Sequence, residues 1–184
     1  MIMVMGIPNV GKSTIINKIS KKRPAKTGDM PGLTRQIQPI RIKEDIMMYD
    51  TPGVFPPQVE EIERGYQLIL ANTISDKFIQ RDQSCYHLAE YGLYILEQNE
   101  KEKEIRQYYH IKAEENITID LLLAYQAKRE RIKNHNRVLE NSEKLKEVYS
   151  DHEIERLAYA FIKDIRRGAF GGLVYETEFL KETL

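Results

Sequence analysis

Gly6-Ile7-Pro8-Asn9-Val10-Gly11-Lys12-Ser13, close to the start of this chain, leaves it few folds to choose from. The segment fits the pattern of glycine, four residues, glycine, lysine, then serine or threonine, which carries meaning only where a strand runs in and a helix runs out. Both conditions are met: Ile2 to Met5 is short, apolar and stopped by glycine, and Ser13 to Ser20 continues as a helix. In that setting the glycines let backbone N–H groups close round phosphate oxygens at a helix N-terminus. Lys12 then reaches the β and γ phosphates and the Ser13 hydroxyl meets Mg2+. The expected nucleotide-binding residues are Asn9, Val10, Gly11, Lys12, Ser13, Thr14 and, from the next motif, Gly53.

The run from Arg35 to Asp50 alternates apolar and polar at Ile37, Ile40 and Ile42 and turns at Glu44-Asp45 into Ile46 to Tyr49, the pattern of a hairpin. Pro39 cannot donate to a ladder, so its strand is expected at an edge or with a bulge. Asp50 ends the second strand and begins Asp-Thr-Pro-Gly. An acidic residue at a strand end beside a phosphate loop is placed to hold Mg2+, usually through water, and Gly53 can offer its N–H to a γ-phosphate. Thr34, in a glycine- and proline-rich loop before the hairpin, is the candidate switch hydroxyl. Taken singly, Asp-Thr-Pro-Gly is turn chemistry and Thr34 a loop threonine. Beside the phosphate loop they make a set: Lys12 and Thr34 for catalysis; Ser13, Thr34 and Asp50 for magnesium.

Beyond Val59 the periodicity turns helical. Ile154, Leu157, Ala158, Phe161, Ile162 and Ile165 recur at helical spacing, Ser150 and Glu153 form a capping box, and Gly168 stops the helix. Thr118 to Tyr149 reads as a long helical stretch, so polar that it is expected to be either broken near Asn134 to Asn141 or partly solvated. The expected fold class is α/β, a partial P-loop NTPase sheet over residues 1–57 followed by an all-helical domain over 58–184, divided at the Pro-Gly-Val-Phe-Pro-Pro turn.

With 28 basic and 28 acidic residues in 184, the chain has no global field for nucleic acid, so any basic surface is local. One candidate comprises Lys18, Lys21, Lys22, Arg23, Lys26, Arg35, Arg41 and Lys43 around the switch loop. Another is Lys163, Arg166 and Arg167, which serve a helix C-terminus equally well. The one cysteine, Cys85, is expected as a small buried hydrophobe on a helix, and it fits a reducing compartment. Four scattered histidines lack zinc-ligand spacing, so no structural metal is expected. No stretch approaches the roughly 18 apolar residues of a membrane span, and the N-terminus lacks a signal peptide's basic region; a cytoplasmic protein is expected.

The order of GIPNVGKSTIINKI, AKTGDMPGLTR, DTPGV, LILANTISD and FIKDIRRGAFGGLVYE resembles the YlqF-type circularly permuted GTPases, the ribosome biogenesis GTPase A family. The likeness is strongest over residues 2–54, weaker over 68–97 and 154–176, and poor from about 100 to 148. It implies GTP and GDP as ligands, Mg2+ as cofactor, and the large ribosomal subunit and its rRNA as partners, touched by the helical half. In that family the guanine-reading Asn-Lys-x-Asp motif precedes the phosphate loop. Here Asn17-Lys18 runs on as Ile-Ser and lacks the aspartate. The expectation is therefore a piece of a longer protein, or a complementary fragment that supplies the missing motif and strands. Val54 stands where Ras-type enzymes carry a water-orienting glutamine, matching the family's hydrophobic substitution. Asn9 has two readings: a K+ ligand, by the resemblance, or a turn former tolerant of unusual backbone angles. Two rival functions stay open, an RNA-binding helical module with a non-hydrolysing phosphate loop and a tRNA-modifying GTPase.

Overall fold

A computed structural model describes residues 1–21, 25, 34–54, 62–74, 84–140 and 143–175. The chain divides into two compact units, Met1–Phe78 and Ile79–Leu184.

In the first unit, β1 (Ile2–Val4) leads through the phosphate loop into α1 (Lys12–Ser20), followed by the hairpin of β2 (Gln38–Lys43) and β3 (Ile46–Asp50) and then α2 (Ile62–Leu70). The sheet order is β1-β3-β2, with β1 parallel and β2 antiparallel to the central β3. β2 is thus at an edge, where Pro39 loses nothing, and its register slips between Arg41 and Lys43. Both features expected of this strand occur together. Ile40 and Met48 from the hairpin bury themselves with Ile16 of α1 and Ala25, while Arg41 and Lys43 point to solvent. This is the period-two pattern of a strand with one face on the core.

α2 belongs to the first unit, so the division lies beyond the 57/58 boundary suggested by the proline-rich turn. Helical periodicity reports a buried stripe and does not say which layer receives it, and helices cover P-loop sheets as well. Residues 55–57 of that turn fall outside the described residues.

The second unit is helical: α3 (Cys85–Gln98), α4 (Glu102–Tyr109), α5 (Ile119–Arg129), α6 (His135–Leu139), α7 (Leu145–Val148) and α8 (Asp151–Arg166). α8 packs on α3, α5 and α7 through Ile154, Leu157, Phe161 and Ile165, all buried. Its capping box is complete, and Gly168, at φ 76°, turns the chain so that Phe170 packs 6.0 Å from the Phe161 ring. The stretch expected as one long helix, broken or partly solvated, is three helices, and the first break starts before Asn134: Arg131 and Asn134 both take left-handed backbone angles. Cys85 sits in the first turn of α3 and is half-buried, not the core residue expected. A helix's first turn is set by its cap, here Ser84, and lies at the rim of the core.

Candidate nucleotide-binding site

Three chain segments converge at the C-terminal ends of β1 and β3. Their register aligns Val4 with Asp50, which brings the phosphate loop beside Asp-Thr-Pro-Gly. Two bonds fasten them: Thr51 Oγ1 donates to the Val4 carbonyl at 2.7 Å, and the Val54 N–H donates to the Gly6 carbonyl at 3.2 Å. Gly53 approaches so closely that a β-carbon there would lie 2.5 Å from the Pro8 nitrogen and ring. The glycine is therefore required by packing, independently of any role for its N–H.

Gly11 caps α1 in the left-handed region, φ 89°, with no side chain bonded across the helix start. The N–H groups of that turn are thus not claimed by a side-chain cap, which is the anion-binding arrangement of a helix N-terminus. Lys12 is buried, and its ammonium folds back onto the carbonyls of Gly6 and Ile7 at 3.1 and 2.8 Å. The amine sits over its own loop, within reach of the space the loop encloses.

Ser13, Thr34 and Asp50, far apart in sequence, share one oxygen cluster. Ser13 Oγ donates to Asp50 Oδ2 at 2.8 Å, Thr34 Oγ1 donates to the same oxygen at 3.2 Å, and the two hydroxyls are 3.4 Å apart. Asp50 is fully buried, and its Oδ1 has no hydrogen-bond partner among the described residues. A buried carboxylate oxygen left without a partner is costly, and hard oxygen donors at this spacing suit a small divalent cation. The residues present therefore fit Mg2+.

Asn9 takes a left-handed backbone angle, φ 58°, and its Nδ2 donates to the Asn72 carbonyl at 2.6 Å. The turn-forming reading is realised in the backbone. The cation reading is compatible with it, because the donor end of the amide holds Asn72 and the acceptor end is the one a cation needs. Val10, Thr14 and Val54 are exposed, Val54 by 60%. Lys18, Lys21, Arg35, Arg41 and Lys43 are exposed too; Lys22, Arg23 and Lys26 lie outside the described residues. Asn17, which lacks the aspartate partner of a base reader, instead ties down the chain beyond α1. Its amide bonds both the N–H and the carbonyl of Ala25, at 3.0 and 2.9 Å. The Asn72 contact had no signal in the sequence, because an acceptor that is a backbone carbonyl leaves no trace in residue identity.

Among the described residues no helix is long and apolar enough to cross a membrane. In fold, the chain is similar to a solved structure titled as GDP-bound YlqF, with a TM-score of 0.53 at 20% identity over 95% of this chain and 60% of that one. It is 33% identical to ribosome biogenesis GTPase A of Bacillus pumilus, covering 95% of this chain and 55% of the relative. It is 34% identical to mitochondrial ribosome-associated GTPase 1 of Xenopus tropicalis, covering 92% and 55%. The chain thus spans about half the length of the curated relatives it matches. Residues 1–151 match the family described as 50S ribosome-binding GTPase. With the phosphate loop, the Ser13–Thr34–Asp50 cluster and this match in hand, the chain belongs to the 50S ribosome-binding GTPase family.

Proposed function

We propose that this chain carries the phosphate-binding, switch and helical portions of a cytoplasmic GTPase that works in assembly of the large ribosomal subunit, with the helical unit as its RNA contact. The observation that supports it best is the meeting of Ser13, Thr34 and Asp50 around one carboxylate oxygen. These three residues would hold Mg2+, which when bound neutralises charge on the phosphate oxygens. Lys12 exchanges the carbonyls of Gly6 and Ile7 for phosphate oxygens and offsets the charge of a loose transition state. Thr34 reports the γ-phosphate to the switch loop, and Gly53 offers its N–H. Val54 has no group to orient water, so acceleration has to come from charge and from order imposed by the ribosome. Asn9 serves as a K+ ligand through its amide oxygen.

GTP hydrolysis by the chain, measured with and without 50S subunits and in potassium or sodium salts, tests this. Hydrolysis that rises with subunits and potassium and disappears in Lys12→Ala is expected. Subunit binding without turnover in any of these conditions would replace it with an RNA-binding module whose phosphate loop is residual.

A further inference from the structure

Between α5 and α8 lies an open cleft of about 410 Å³, lined by Arg129, Glu130, Arg156, Lys163, Asp164 and Arg167. Four cations face two carboxylates in a chain that is neutral as a whole. Arg156, Lys163 and Arg167 recur along one face of α8 and its cap, a line of roughly 16 Å at the helical rise. Tyr159 lies between the first two, with the Lys163 ammonium 4.8 Å from its ring centre.

The two arginines at the end of this line are held in place. Asp164 is buried at 3% exposure; its Oδ2 accepts from Arg129 at 2.9 Å and its Oδ1 from Arg167 at 2.6 Å. Tyr108 braces the pair from the other side: the Arg129 guanidinium lies 4.2 Å from the centre of its ring, and its hydroxyl accepts from Arg167. The side chains of Arg129 and Arg167 remain 38% and 59% exposed. Arg129 Nη1 also reaches Gln126 at 3.5 Å, and these contacts with those of Arg167 Nη2 to Asp164 and Tyr108 do not take all five donors that each fork presents. A buried carboxylate shared by two arginines is a poor device for stability, because desolvation offsets the attraction. It is a good device for presenting two rigid forks, which match phosphate geometry.

We infer that this cleft grips the phosphodiester backbone of RNA, and that Asp164 is the positioning residue that aims Arg129 and Arg167 at it. The inference rests on the reading of the helical unit as the RNA contact and gives that contact an address. It also reverses the simple electrostatic expectation: Asp164→Asn makes the surface more positive and yet weakens binding, because both forks lose their anchor.

Fluorescence anisotropy of a labelled RNA hairpin, titrated with the full chain at several potassium chloride concentrations, provides the test. Arg156→Gln and Lys163→Gln are expected to weaken binding and each lower the salt slope by about one. Asp164→Asn is expected to weaken it about tenfold. Binding by Asp164→Asn as tight as wild type or tighter would overturn the positioning role. Should that variant fail to fold, Asp164→Glu, which keeps the charge and displaces the carboxylate by one methylene, is the second probe, and unchanged binding by it would overturn the same role. Wild-type salt slopes in both glutamine variants, or displacement of the hairpin by polyglutamate at equal charge, would overturn the RNA assignment. Subunit-stimulated GTP hydrolysis that persists in such a case isolates the failure to the cleft; lost hydrolysis with intact hairpin binding isolates it to the nucleotide site.

Discussion

Asp50 is the residue on which the chemistry proposed for the first unit turns. One of its oxygens is occupied by Ser13 and Thr34, and the other is buried without a partner among the described residues. Replacing it with asparagine preserves the shape and removes the charge that a divalent cation requires. Asp50→Asn is expected to lower Mg2+-dependent GTP affinity at least about tenfold while leaving the metal-free affinity nearly unchanged. Titration of a labelled GTP analogue with and without Mg2+ reads both, and equal losses in the two conditions would show a folding defect instead. At this scale the sequence makes the grouping legible where side chains themselves touch: Ser13, Thr34 and Asp50, singled out by identity and spacing, meet. What residue identity does not disclose is contact made through backbone, as with Asn9 on the Asn72 carbonyl, or through proximity, as with Gly53 on Pro8.

Helix ends in the second unit add polar ties to the packing of the helix middles. Glu155 of α8 reaches the start of α3, where its carboxylate accepts from the Cys85 N–H at 2.7 Å and from the Ser84 hydroxyl. Burial pushes this carboxyl up, but the bonds from Ser84 and Cys85 outweigh that and hold it below its ordinary value of 4.5. A depressed carboxyl contributes stability in full above the unfolded value, and that contribution is lost as pH falls through the folded one. Glu155→Gln is expected to cost about 1 kcal/mol at neutral pH and to cost progressively less in acid, where the wild-type carboxyl is itself protonated. Urea denaturation in neutral and acidic buffer measures the difference, and a pH-independent penalty would contradict it. α8 is legible from end to end because its cap, stripe and glycine stop are all local signals. The break after α5 is legible only in part: it is expected near Asn134 but starts earlier, at Arg131, whose left-handed angle its residue type does not announce. The Glu155 tie is hidden because its two ends are distant in sequence.

Across the whole chain, apolar burial is unevenly shared. The first unit's sheet has β1 at an edge, paired only with β3 among the described residues, and Ile2 and Met3 are each 47% exposed. Ile15 and Ile19 of α1 are about half exposed as well. A strand edge without charge, proline or bulge invites pairing with another strand. Met3→Lys is expected to abolish concentration-dependent self-association of the purified chain, seen by size-exclusion chromatography, without altering the exchange protection of the helical unit. A wild-type chain that stays monomeric with Met3 and Val4 amides strongly protected would show that the edge is already closed.

Over the course of descent, position 53 answers to a neighbour before it answers to a ligand. Any side chain there strikes Pro8, whether or not the protein still turns over nucleotide. A lineage that lost hydrolysis would go on keeping this glycine while selection on Thr34 relaxed. Retention of Asp-Thr-Pro-Gly in a descendant would then record only that two loops still fit together, and erosion at Thr34 would be the earlier mark of an enzyme fallen silent.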